Sequence, residues 1–532
     1  METIIRGSLV YDGSGAPAKQ ADVIVAEGKI LAVGENLPTT GRRVIEAKGL
    51  SLAPGFIDCH THSDYSILVD PAAEHVMKQG VTTQIGGQCG YSRSPVLPEI
   101  SQETKDYFDD TMMPDVGVKT PSFATYSEQV AYLRQLPLGV NQTYFTGHRV
   151  LRGSVMGLDA RHATDAEIKQ MELLLAETLE NGAQGLSSGM SYGSANRCSP
   201  EELVRLGRVV SRYGGMYTSH IRSEAAGLMD AIEEAVRVGR EAGIPVNISH
   251  MKVVGSQNWS LCSDALALID RASKEGVSIY FDAYPYTASC CTTMAGIPST
   301  YTNEGAQVLA DKLYDPTFVQ RLYDDIFVHP EDGWDNPVKN LGLDKFFVTD
   351  ASATPDAEGK TIVETAELWK VSPFEAFIRI IRDNRCQVTD CRFSMCEENL
   401  EEILRHPLCG VCSDAIYLPG CRYVHPRAMA AFPRFLGRYV RDRALMSREE
   451  GIYRITGLPA KRYQLHGKGL IRAGMDADLV LFDYDTILDY ADYSNPFRPN
   501  HGISMVMIGG QVVVENGACT GVRNGKIISR GN

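Results

Sequence analysis

Pro54-Gly-Phe-Ile-Asp-Cys-His-Thr-His62 decides how the rest of the chain is read. The apolar run from Leu52 to Ile57 reads as a buried strand ending at Asp58. Side chains alternate along a strand, so His60 and His62 are expected on the same side. Two imidazoles together at a strand's C-terminal end suit one divalent metal. A His-x-His alone also fits an ordinary polar strand end. The preceding Pro-Gly-apolar-apolar-Asp, and residues further along, favour the metal.

Outward from this stretch, strands and helices alternate, the pattern of a parallel sheet. The expected strands are Leu52–Asp58, Val81–Gly86, Gln142–Gly147, Ala183–Ser188, Gly215–Ser219, Pro245–Ser249, Val277–Ala283 and Cys409–Ser413. Helices are expected over Thr164–Asn181, Pro200–Tyr213, Leu228–Ala242 and Asp264–Glu275, with Thr164 as an N-cap. The fold class is therefore α/β, a (β/α)8 TIM-like barrel spanning 54–466. Such barrels carry their chemistry at the C-terminal ends of the strands. His60, His62, Cys89, His148, His220, His250, Tyr284 and Asp414 all fall there. The alternation breaks between about Pro285 and Lys345, with helical patches at Ala306–Leu313 and Pro316–Asp325. This is read as an inserted, lid-like subdomain after strand seven, about 287–346, covering the barrel mouth.

Both chain ends have a different texture. Ile4–Val10, Asp22–Ala26, Lys29–Val33 and Arg43–Glu46 read as short strands, as do Asp478–Asp483, Ile503–Ile508, Gly510–Val514 and Lys526–Ile528. Residues 1–53 and 467–532 are expected to build one small β-sandwich. The chain has 532 residues, enough for these two units. Its net charge of -14 argues against nucleic acid and anionic membranes as partners. The 13 cysteines are scattered, no signal-peptide pattern opens the chain, and no apolar run reaches membrane-span length. A cytoplasmic location with reduced thiols is expected.

His220 and His250 each end an apolar strand, and with the His-x-His they make a metal-binding set. Cys89, in a glycine-rich turn, could be a small buried residue; beside two histidines it reads as a thiolate ligand. Asp414 could cap a helix. Its functional reading is a carboxylate touching a second metal or metal-activated water, able to take a proton and return it.

The chain resembles the amidohydrolase superfamily, and within it the D-aminoacylases (N-acyl-D-amino-acid deacylases). The motifs are Gly55-Phe-Ile-Asp-Cys-His-Thr-His62, Gln79-Gly-Val-Thr-Thr83 with Gln88-Cys-Gly90, Gly185-Leu-Ser-Ser-Gly189 with Tyr192, and Ser219-His-Ile-Arg-Ser-Glu224. Ser249-His-Met-Lys252, Asp282-Ala-Tyr-Pro-Tyr-Thr-Ala-Ser289, Ser413-Asp414 and His425-Pro-Arg427 follow, then Thr456-Gly-Leu-Pro-Ala460 and Ala477–Asp483. The resemblance implies the amidohydrolase fold and zinc-dependent hydrolysis of N-acyl-D-amino acids to a carboxylate and a free D-amino acid. It implies a tight Zn2+ on Cys89, His220 and His250, and a weaker second site on His60, His62 and Asp414. Metal-bound hydroxide would attack, with Asp414 as general base and then acid. Lys252, Tyr284, Ser289 and Arg427 would hold the α-carboxylate, and Tyr192 would donate to the scissile carbonyl. Buried carboxylates need such cations and donors.

Two departures from the family pattern stand out: Cys412-Ser-Asp-Ala415 where Gly-Ser-Asp-Gly is usual, and Tyr192-Gly-Ser where Tyr-Pro-Pro is usual. From Cys290 to Gly305 the only charged residue is Glu304, so a neutral substrate side chain is expected. The alternatives are a hydrolase of cyclic amides (hydantoinase or dihydroorotase type) or of D-dipeptides on the same scaffold, and a non-catalytic barrel used for assembly. Lys252 and Arg427 favour an open, carboxylate-bearing substrate. A non-catalytic barrel predicts lost ligands, and all six are present. The sequence leaves a homo-oligomer open.

Overall fold

The computed structural model describes residues 2–110, 120–302, 305–330 and 334–531. Eight parallel strands form a barrel: β1 (Phe56–Asp58), β2 (Val81–Gly86), β3 (Asn141–Tyr144, resuming as Thr146–Gly147), β4 (Gly185–Gly189), β5 (Met216–His220), β6 (Val246–Ile248), β7 (Ile279–Ala283) and β8 (Cys409–Val411). β1 to β3 pair in one arc and β3 to β8 in another. The seam between β8 and β1 is closed by chain that has already left both strands. Asp414 N donates to His60 O at 2.9 Å and His62 N to Ala415 O at 3.1 Å. The buried Asp58 carboxylate accepts from Ser413 N at 2.9 Å. Barrel strands are covered on both faces, which is why they read as apolar runs rather than as alternation.

The outer helices fall close to expectation. Asp165–Glu180 starts at Thr164 with a full capping box to Glu167, and Leu228–Ala242 is stopped by Gly243 at φ 67°.

The terminal strands form one nine-stranded sheet from both ends of the chain. Ser51–Pro54 lies antiparallel to Leu479–Phe482, and this pairing joins the ends. Ile5, Val25, Leu52, Leu479 and Met505 share its core. The sequence run Leu52–Asp58 is therefore two strands, not one. Its first half belongs to the terminal sheet and its second to the barrel, with Gly55 between them. A Cβ on Gly55 would overlap the Thr82 side chain of β2. Gly55→Ala is expected to destabilise by about 1–3 kcal/mol, read as a lower apparent melting temperature at fixed scan rate. An unchanged midpoint would mean that Thr82 gives way freely.

Two further expectations are corrected. Lys526–Ile528 does not join the terminal sheet; Ile527 bridges Gln142 in β3, so the tail runs beneath the barrel. The insert also runs past the expected limit of 346. Ala288–Thr292, Phe346–Asp350 and Thr389–Phe393 form a three-stranded antiparallel sheet, and the insert's own core runs from Met294 to Val388. A strand and helices past 346 carry the same period as barrel units, so periodicity cannot find that border.

Candidate active site

The metal-ligand candidates converge at the C-terminal end of the barrel. His60 and His62 do so without strand alternation, because β1 stops at Asp58 and both sit in the turn before the helix Ser63–Val69. His60 Nε2 and His62 Nε2 lie 3.5 and 3.3 Å from Asp414 Oδ1. His60 Nε2 is also 3.4 Å from Cys89 Sγ, which lies 3.3 Å from His250 Nε2. His220 Nδ1 is 2.9 Å from His250 Nε2. His60 thus stands between a group containing Cys89 and His250 and a group containing His62 and Asp414. His148, also at a strand end, is turned away. It pairs with Glu202 at 2.8 Å, and Arg152 neutralises that carboxylate.

Three of these residues hold backbone that side chains rarely adopt: Cys89 at φ 54°, His250 at 36° and Asp414 at 49°. Such strain persists only where the surroundings over-determine it. His250 N donates to Asp282 Oδ1 at 2.7 Å, and Asp414 N is tied to His60 O as described.

The charges suit a metal cation. Burial would raise the Cys89 thiol, but the His60 and His250 imidazoles outweigh it and hold it well below its ordinary value. Burial would lower His62, but its bond to Asp414 lifts it to about 9. Burial would raise Asp414, yet Arg427 and His250 keep it well below the usual carboxylate range. Deprotonated sulfur and oxygen held against imidazoles form an arrangement in which one cation can replace several protons. The spacing fits too: zinc bonds of about 2.3 Å to sulfur and 2.0–2.1 Å to nitrogen put tetrahedral donors about 3.5 Å apart. The buried Nδ1 of His62 has no hydrogen-bond partner, leaving its orientation to be fixed by whatever Nε2 binds.

Ser289, Lys252, Tyr284 and Tyr192 border a cavity of about 360 Å³ that also reaches Cys89, His220 and Asp414. Lys252 Nζ lies 2.5 Å from Glu224 Oε1 and 2.7 Å from His250 Nδ1. Arg427 is buried behind the wall, with Nη1 2.8 Å from Asp414 Oδ2 and its guanidinium 4.4 Å from the Tyr284 ring centre. The Tyr284 hydroxyl and the Arg427 Nε and Nη2 are buried without hydrogen-bond partners. Tyr192 OH is 3.1 Å from His220 Nδ1. The insert supplies a neutral stretch of wall: Cys290, Cys291, Met294 and Ile297. Glu304 lies outside the described residues.

Two carboxylates were missed by sequence reasoning. Asp282, at the C-terminal end of β7, accepts from Asn247 at 2.5 Å and lies 3.4 Å from His60 Nδ1. Glu224 lies 3.0 Å from His250 Nδ1; burial would raise it, but Lys252 and the two histidines hold it low. Carboxylates that orient ligand imidazoles are common around metals. The signal was available: Asp282 ends a barrel strand as the other site residues do.

Residues 43–514 match the model of the amidohydrolase family. The chain is 31% identical to the D-aminoacylase of Alcaligenes xylosoxydans xylosoxydans over 99% of this chain and 98% of that one. It is 32% identical to the N-acyl-D-aspartate deacylase of the same organism, over 99% and 95%. The crystal structure of N-acyl-D-glutamate deacylase from Bordetella bronchiseptica, complexed with zinc and a phosphonate mimic of the tetrahedral intermediate, superposes with a TM-score of 0.82 at 30% identity over 99% of both chains.

Proposed function

The chain belongs to the amidohydrolase family, and from that premise we propose that it is a zinc-dependent deacylase of N-acyl-D-amino acids. The observation that carries the reading is the buried set of thiolate, imidazoles and carboxylate opening onto a cavity bordered by Lys252. Cys89, His220 and His250 are assigned the tight zinc, and His60, His62 and Asp414 a weaker second site. Zinc bound there would lower the pKa of water towards about 7 and polarise an amide oxygen.

The chain's own groups do the rest. Asp414 takes a proton at its carboxylate and returns it to the leaving nitrogen. Its ion pair with Arg427 keeps it deprotonated in the free enzyme. A substrate carboxylate reaching Arg427 would share that cation and make Asp414 a stronger base on binding. Lys252, Ser289 and the unpartnered donors of Tyr284 and Arg427 are assigned the α-carboxylate. Tyr192, beside His220, is assigned the scissile carbonyl. The uncharged stretch of the insert's wall, Cys290 to Ile297, is assigned a neutral amino-acid side chain. Thirteen cysteines outside disulfides agree with a reducing, cytoplasmic setting. Among the described residues no helix is long and apolar enough to cross a membrane.

Amine release from N-acetyl-D-leucine, N-acetyl-L-leucine, N-acetyl-D-glutamate and a hydantoin by zinc-loaded protein tests the reading. Turnover of the D-leucine derivative is expected to dominate. No turnover of any N-acetyl-amino acid would overturn it, and N-acetyl-D-glutamate as the best substrate would overturn the neutral side chain alone.

A further inference from the structure

Three cations that border the cavity already face a carboxylate. Lys252 meets Glu224 at 2.5 Å, Arg222 meets Glu234 at 3.0 Å and Arg392 meets Asp390 at 2.7 Å. Arg149 also borders the cavity, but its surroundings differ. It is 4% exposed, in the first turn of the helix His148–Met156 that follows β3. Its guanidinium lies 4.3 Å from the Tyr91 ring centre, 5.3 Å from Tyr107 and 5.7 Å from Tyr192. Nη2 donates to Tyr107 OH at 2.7 Å, and the buried Nη1 has no hydrogen-bond partner. Among the described residues no carboxylate lies within ion-pairing distance of it.

Burying a guanidinium is costly unless it is paired. Tyrosine faces offset part of that cost through the ring quadrupole, but they carry no counter-charge. The Arg149 fork is also built for planar, two-point recognition of a carboxylate. Its place is specific. Tyr91 bridges it to His62, the ring centres being 6.2 Å apart, and Tyr192 bridges it to His220. It therefore approaches the metal donors from the β2–β4 side. Lys252, Tyr284, Ser289 and Arg427 approach from the β6–β8 side. An amide held at the donors would have a carboxylate-binding group on each side.

We propose that Arg149 binds a second carboxylate of the substrate, so that the preferred substrates are dianions. This rests on the deacylase reading and deepens it. The second carboxylate can sit on the acyl group, as in a succinyl or glutaryl amide, or on the amino-acid side chain. The uncharged stretch of wall from Cys290 to Ile297 favours the acyl group.

The test is a pair of kcat/KM ratios, N-succinyl-D-leucine over N-acetyl-D-leucine and N-acetyl-D-glutamate over N-acetyl-D-glutamine, in wild type, Arg149→Met and Arg149→Lys. One ratio is expected to exceed unity by about ten- to a hundred-fold in wild type, the range of a charge-assisted bond. It should collapse in the Met variant and be partly restored in the Lys variant, which keeps the charge without the fork. The succinyl arm would leave the neutral side chain standing, and the glutamate arm would replace it. Ratios equal in wild type and Arg149→Met overturn the proposal. Should the Met variant fail to fold, Arg149→Lys and Tyr107→Phe must still lower the ratio, or the proposal fails. A wild type that cleaves none of the four substrates overturns the deacylase reading instead. Calorimetric titration with succinate then decides Arg149 alone: binding weakened in Arg149→Met supports it, and no difference overturns it.

Discussion

Asp414→Asn is expected to lower kcat on an N-acyl-D-amino acid by about 10³-fold or more, within the range of lost general acid–base catalysis. The substitution keeps shape and size while removing the basic oxygen pair. It also suits the backbone, because asparagine tolerates the left-handed region that Asp414 occupies at φ 49° better than most residues. A folded protein with dead chemistry is therefore the expected outcome. A secondary cost is predictable: Arg427, only 1% exposed, loses its carboxylate at 2.8 Å. A lower melting temperature should accompany the lost turnover, because a buried cation is left uncompensated. Amine-release kinetics and circular dichroism on one preparation separate the two effects. A variant within tenfold of wild-type kcat would remove Asp414 from the proton path.

The second large effect is expected at Cys89. Cys89→Ala removes the soft donor that stands 3.3–3.4 Å from two imidazoles. Two borderline imidazole donors, His220 and His250, then remain at the position assigned to the tight zinc, and affinity for zinc should drop steeply. The alanine variant is expected to emerge from gel filtration with little metal and to regain turnover only in excess zinc. Elemental analysis of the purified protein reads this directly. Retention of metal at the wild-type level would show that the histidines and Asp414 hold the ion without the thiolate. Backbone strain does not confuse the comparison, since alanine and cysteine carry the same Cβ at φ 54°.

Much of this was legible in the chain because barrel strands are buried on both faces and such folds gather their polar side chains at the strand ends. That rule singles out His60, His62, Cys89, His220, His250 and Asp414, which the structure brings together. It also flagged His148, which the structure turns into an ion network with Glu202 and Arg152. Position in a strand tells where a side chain starts, not which way it leaves. Asp282 and Glu224 were missed for another reason: each faces an imidazole, and although the strand-end position of Asp282 is visible in the sequence, the residue it faces is not. The end of the insert was hidden because its later helices share the period of the barrel's own. Arg149 could not be singled out at all. Its distinction is that no carboxylate among the described residues pairs with it, and only three-dimensional surroundings reveal that.

The division at Gly55 has a consequence for modularity. The terminal sheet and the barrel look like separable parts, yet one uninterrupted segment serves both. Ser51–Pro54 is zipped to Leu479–Phe482, and four residues later Asp58 holds Ser413, the neighbour of Asp414. The N-terminal strands are therefore an anchor for the seam on which Asp414, the carboxylate proposed to move the proton, hangs. Trimming or circularly permuting the chain near residue 50 would act on chemistry, not merely on solubility.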